Sequence, residues 1–254
     1  MRLFDAHCHL EDELFDKDRH DVLIRARKAG IIGMVTSPLG INMALKAMEI
    51  FRGNEIVYIS PGLDSRNFSD EKAAEELASF VRSVKDGIVA VGEIGLDYKF
   101  ARSEAEREKQ KRNFKFLAKL ADELDKPIVV HSRWAQRPVL RVLDEIYATD
   151  VILHAFSGSE DDVKFAAERE WFISISTNVV RSYPVRKAAE ISPLNLILLE
   201  SDSPALSPDD GRNEPANILV SVAEISSARG IKPEELAEIT TENALRAYRI
   251  PRRH

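Results

Sequence analysis

A chain of 254 residues, 44% hydrophobic and 31% charged, is long enough to bury a large core, either as one α/β barrel or as two smaller domains. No apolar run approaches the ~18 residues of a membrane span and no cleavable signal opens the chain, so a cytoplasmic protein without a membrane partner is expected. The net charge of −6 argues against gripping nucleic acid through a broad basic surface, and the single cysteine, Cys8, rules out internal disulfides.

The first apolar run, 2–9, closes in Asp5-Ala6-His7-Cys8-His9. In an extended strand residues i and i+2 share a face, so His7 and His9 can converge on one metal ion. Asp5 falls on that face one step deeper, where it would orient a ligand, and Cys8 points the other way into packing. Further short β-branched runs follow at 31–37, 55–62, 87–95, 127–131, 151–155, 171–177 and 195–202. Amphipathic segments alternate with them at 18–29, 42–52, 70–84, 103–124, 135–147, 160–168, 184–190 and 215–229. Repeated βα units of this number and length predict one (β/α)8 TIM barrel over 1–254. A last helix is expected over 232–250, with Pro233 in its first turn and Glu234 and Glu235 near its positive end, packed against the outside of the barrel.

A barrel gathers the C-terminal ends of its strands on one face, so polar residues at those ends converge. Here the ends supply His7 and His9 from the first strand, Glu93 within the fourth, His131, His154 and Asp202. The two remaining histidines, His20 on a charged helical segment and His254 at the terminus, read as surface groups. Buried imidazoles and carboxylates crowded without cations would repel or stay unsatisfied, so the shared location points to bound metal. Six ligands exceed the needs of one tetrahedral ion. Two divalent ions are expected, with Glu93 bridging, His7 and His9 on one ion, His131 and His154 on the other, and Asp202 as ligand to the first or as general base. Mixed imidazole and carboxylate donors suit zinc, manganese or iron, and would hold magnesium more weakly.

The successive motifs Asp5-Ala6-His7-Cys8-His9-Leu10, Gly92-Glu93-Ile94-Gly95-Leu96-Asp97-Tyr98, Pro127-Ile128-Val129-Val130-His131-Ser132-Arg133, His154-Ala155-Phe156-Ser157-Gly158, Leu199-Glu200-Ser201-Asp202-Ser203-Pro204 and Arg212-Asn213-Glu214-Pro215 resemble those of TatD-type metal-dependent deoxyribonucleases. The segment from Glu234 to Ala244 is similar to that family's C-terminal helix. The resemblance implies a (β/α)8 barrel, the same six ligands, and hydrolysis of DNA phosphodiesters, often from the 3′ end, with damaged DNA or RNA cut by some members. Ala155 stands where cysteine is common and Ser201 where threonine is common, and neither is needed as a ligand. The stretches 178–186 and 206–211 match less well, which leaves substrate preference open.

For such a reaction Arg133, Ser157 and Arg212 are the candidate phosphate contacts, although either arginine could instead pair with Asp97, Asp209 or Asp210. Trp134 or Tyr98 could stack on a splayed base. A rival reading is an amide or ester hydrolase, such as a deacylase of aminoacyl-tRNA, because a metal-activated water attacks carbonyls as well. A non-catalytic metal-binding module has no need of ligands clustered at one open mouth. No protein partner is legible in the chain.

Overall fold

The computed structural model describes residues 1–252; His254 lies outside the described residues. Strands and helices alternate in chain order: β1 (Leu3–Cys8), α1 (Arg19–Lys28), β2 (Ile31–Thr36), α2 (Ile41–Ile50), β3 (Val57–Ile59), α3 (Glu71–Val84), β4 (Val91–Asp97) and α4 (Glu104–Glu123). The second half continues with β5 (Ile128–Arg133), α5 (Gln136–Glu145), β6 (Val151–Leu153), α6 (Glu160–Ala167), β7 (Phe172–Ser176), α7 (Tyr183–Ile191), β8 (Ile197–Glu200), α8 (Ile218–Arg229) and α9 (Pro233–Ala247).

The helices start where local chemistry favours it. Ser103 and Ser159 cap α4 and α6 reciprocally with Glu106 and Asp162, and Asp70 caps α3 through the amide of Ala73. On α3, Ala74, Leu77, Ala78 and Val81 recur at helical spacing and are the residues it buries.

All strand pairs are parallel, running β1-β2-β3 and β4-β5-β6-β7-β8. Two seams join these sheets through hydrogen bonds at the strand ends. Between β3 and β4, Val89 N donates to Ile59 O (3.0 Å), Gly92 N to Pro61 O (2.9 Å) and Leu63 N to Glu93 O (2.9 Å). Between β8 and β1, Asp202 N donates to His7 O (2.9 Å) and His9 N to Ser203 O (2.7 Å). The sheet is therefore an eight-stranded barrel closed just beside the predicted ligands.

Two apolar layers follow from strand alternation. Leu3, Met34, Val130, Leu153 and Leu199 pack outward with the helices, whereas Phe4, Val35, Val129, Ile152 and Leu198 form a separate cluster, which fills the barrel interior. That cluster is completed by Ala244, Leu245, Ala247, Tyr248 and Ile250. The C-terminal helix thus lies across the end of the barrel where the strands begin, with Tyr248 Oη donating to Ala6 O (2.6 Å) and Asn243 Nδ2 to Ile197 O (2.9 Å).

Two expectations need correction. The fourth strand, expected over 87–95, runs Val91–Asp97: residues 85–87 form a 3-10 turn after α3, and Gly95 lies within the strand instead of ending it. Asp5 does not share a face with His7. Register irregularities interrupt β1, one of them between Asp5 and Cys8, and the neighbours Phe4 and Ala6 both belong to the interior cluster. Asp5 turns instead toward β8, where it accepts from Ser201 N (2.8 Å) and Ser201 Oγ (2.6 Å) as well as from His7 N (3.2 Å).

Candidate metal centre

Residues far apart in sequence meet at the C-terminal mouth. Glu93 projects from the middle of β4 and places its two oxygens toward different imidazole pairs. Oε1 lies 3.2 Å from Nε2 of both His7 and His9, and Oε2 lies 3.1 Å from His131 Nδ1 and 3.9 Å from His154 Nε2. Asp202 Oδ1 reaches 3.6 Å to His7, 3.4 Å to His9 and 3.8 Å to His154, so it sits across both halves rather than on one. His7, Glu93, His154 and Asp202 are buried, and His9 and His131 are partly buried.

The donor set fits divalent cations. His9 Nδ1 lies 2.8 Å from Ser37 O, a carbonyl that can only accept, so Nδ1 carries the proton and Nε2 presents a lone pair. That lone pair faces His7 Nε2 at 3.3 Å and the Glu93 carboxylate beside it. Converging lone pairs require a proton or a metal ion between them. Three groups within the cluster have ligand atoms close enough to share one ion: His7, His9 and Glu93; Glu93, His131 and His154; His7, His154 and Asp202. The first two share Glu93.

With protons in place of cations, the electrostatics show the same tension. Burial opposes charge on His154, yet Glu200, Asp202 and Glu93 outweigh it and raise its pKa to about 10. Burial likewise opposes charge on His9 and His131, and the facing carboxylates again win, lifting His9 well above the imidazole range and His131 above it. His7 goes down, through burial and the neighbouring His154. Burial alone would raise Glu93, but His154, His131, His7 and His9 hold it well below the usual carboxylate range. Asp202 is lowered in the same way, by His154 foremost, against its burial.

Supporting residues that spacing did not single out are Glu200, Ser37 and, in this role, Asp97. Glu200, wholly buried, accepts from Ala155 N (2.8 Å) and lies 3.0 Å from His154 Nδ1. Asp97 Oδ2 lies 3.1 Å from His131 Nε2 and accepts from Arg133 Nε (2.9 Å). The available signal was position: Asp97 and Glu200 are the last residues of β4 and β8, and Ser37 directly follows β2.

Of the candidate phosphate contacts, Arg133 lies beside His131, paired with Asp97 and 5.1 Å above the Phe100 ring. Ser157 Oγ accepts from Gln136 Nε2 (3.1 Å), which leaves its hydroxyl hydrogen free to donate. Arg212 does not join the cluster. It bonds Asp18 through Nη1 (2.7 Å) and Nη2 (2.6 Å), donates to Leu14 O (2.7 Å), and covers the Phe15 ring, holding the loop after β8 against the start of α1. The pairing is with Asp18, not Asp209 or Asp210, and holds the Asp18 carboxyl down to about 2, by the Arg212 hydrogen bond first. Trp134 is 70% exposed at the end of β5, whereas Tyr98 is partly buried under Arg107. His20 is exposed on α1.

Fold and cluster together define a metal-dependent hydrolase of the barrel type. The chain belongs to the TatD-related DNase family, whose model matches residues 4–249. It is 35% identical to human deoxyribonuclease TATDN3 over 97% of this chain and 94% of that one. It is 34% identical to the uncharacterized metal-dependent hydrolase MJ1582 of Methanocaldococcus jannaschii, over 98% of each. The fold is shared with the TatD homolog YJJV of Escherichia coli, with a TM-score of 0.88 at 23% identity over 98% of this chain and 99% of that one. It is also shared with a TatD family hydrolase of Entamoeba histolytica, with a TM-score of 0.85 at 20% identity over 98% of both.

Proposed function

We propose that this protein is a metal-dependent deoxyribonuclease that uses two divalent cations and removes nucleotides from DNA 3′ ends, with damaged DNA or RNA as further substrates. The observation that carries the reading is the split of Glu93, one oxygen toward His7 and His9 and the other toward His131 and His154. A bridging carboxylate needs that arrangement. His7, His9, Glu93, His131, His154 and Asp202 hold the pair, in zinc, manganese or magnesium form. Bound there, divalent cations would neutralise phosphate charge, lower the pKa of a water that attacks phosphorus, and stabilise the 3′ oxygen that departs as the P–O3′ bond breaks.

The chain's own groups do the rest. The Asp202 carboxylate, whose Oδ1 is near the nitrogens of three histidines, accepts the proton of the attacking water on its other oxygen. Arg133 spends Nε and Nη2 on Asp97, which fixes its plane and leaves Nη1 for a non-bridging phosphate oxygen. The Ser157 hydroxyl donates to a second. Trp134, exposed next to Arg133, offers a face on which the terminal base stacks. Phosphate is thus recognised by a local site, in keeping with a net charge of −6.

Incubation with 3′-labelled and 5′-labelled oligonucleotides plus manganese or magnesium tests the proposal. Stepwise loss of the 3′ label is expected, and His131→Ala and Glu93→Ala should abolish it while the protein stays folded. Failure to cut any DNA or RNA, with turnover of an amide or ester such as an aminoacyl-tRNA, would reassign the site to carbonyl substrates.

A further inference from the structure

The two halves of the cluster are supported by different chemistry. On one side the groups behind the imidazoles are neutral: His9 Nδ1 meets Ser37 O (2.8 Å) and His7 Nδ1 meets Ser37 Oγ (3.2 Å). On the other side both partners are buried carboxylates: Asp97 Oδ2 lies 3.1 Å from His131 Nε2 in hydrogen-bond alignment, and Glu200 Oε1 lies 3.0 Å from His154 Nδ1 as an ion-pair contact off hydrogen-bond alignment. Both carboxylates are fully shielded from solvent.

These carboxylates are themselves held. Asp97 Oδ1 accepts from Lys99 N (3.0 Å), and the Gln110 side chain clamps the Asp97 backbone, accepting from its amide (2.9 Å) and donating to its carbonyl (3.2 Å). Glu200 Oε1 accepts from Ala155 N, and among the described residues no lysine or arginine is paired with Glu200 and its Oε2 has no hydrogen-bond partner. A buried carboxylate placed as Glu200 is costly unless the facing imidazole is polarised by a cation on its far side, whereas Asp97 is also paired with Arg133. The remaining acids do not restore the balance. Asp202 reaches both halves, and Glu11 stops 3.8 Å from His9 Nδ1, which is already committed to the Ser37 carbonyl.

We infer that Asp97 and Glu200 are positioning residues that make the His131/His154 half the tighter of the two cation sites, so that the sites fill in order, that half first. A carboxylate behind a ligating imidazole fixes the tautomer and raises the basicity of the ligand nitrogen, whereas a hydroxyl or carbonyl does so more weakly. The inference rests on the two-cation reading above.

The test is zinc titration of the chelated full chain against a chromophoric chelator, so that binding is read without turnover. The wild type should bind two ions in two resolved steps. Asp97→Asn and Glu200→Gln should each weaken the tighter step by about 10–100-fold and leave the weaker one at its wild-type value. His131→Ala should remove the tighter step and His9→Ala the weaker. Two equal steps in the wild type, or a carboxylate variant that shifts the weaker step or neither, would overturn the ordering. Uptake of no zinc by the wild type would overturn the two-cation reading and the ordering with it. Melting of the metal-free variants checks folding, and if Glu200→Gln does not fold, Asp97→Asn decides alone.

Discussion

At His154 burial and three carboxylates compete, and the carboxylates win: a pKa near 10 means that the metal-free protein holds a proton there at neutral pH. A cation on this imidazole must displace that proton, so metal affinity should rise with pH until about 10. Calorimetry at pH 7 in buffers of different ionisation enthalpy should show proton release on zinc binding; heats independent of buffer would contradict it. Asp5 behaves in the opposite sense to an ordinary carboxyl. Burial, resisted by the Ser201 and His7 hydrogen bonds, raises it from 3.8 to about 8. The folded chain therefore keeps a proton that the unfolded chain gives up near pH 4, and stability falls as pH rises between these values. Asp5→Asn removes that titration. In metal-free protein, the variant should gain on the wild type in urea midpoint between pH 5 and pH 8, and a constant difference would count against a buried, protonated Asp5.

Elements meet at seams that tolerate little change. A methyl group on Gly62, just past β3, would lie 2.0 Å from Glu93 N and 2.4 Å from Glu93 O, both backbone atoms that cannot swing away. Gly62→Ala should therefore displace Glu93 and lower zinc uptake while far-UV circular dichroism stays native-like. Full uptake would show that the β3–β4 seam can yield. At the opposite end of the barrel, Tyr248 donates to Ala6 O (2.6 Å) and stacks near Phe4. Tyr248→Phe keeps the ring but orphans a buried carbonyl, a loss of about 1–3 kcal/mol readable from chemical denaturation, with nuclease rates unchanged.

The whole molecule separates its stability from its chemistry. The apolar interior occupies the end closed by α9, and the polar cluster occupies the other, so removal of bound cations is expected to leave the core intact. Chelation should leave native circular dichroism but lower Tm. Free zinc at 100 times its Kd should restore about 2.7 kcal/mol per site. Unfolding on chelation would mean that the core cannot hold the barrel without the ions.

The repeating βα pattern, the His7-Cys8-His9 spacing and the polar residues at strand ends were all readable in the chain, because alternation and helical periodicity are local properties of sequence. Closure was not: the bonds between β8 and β1 join residues nearly two hundred positions apart, and only folding brings them together. The β1 irregularity that turns Asp5 away, and the Asp18 that takes Arg212 from the cluster, belong to the same kind of information. Sequence by itself pointed to the histidines and carboxylates at the strand ends, though not to Glu200 and Ser37 behind them, and it offered Arg212, which Asp18 holds elsewhere. Tertiary structure decided which oxygen of Glu93 faces which imidazoles and which carboxylates stand behind them, because those distances depend on register across seams that no local pattern encodes.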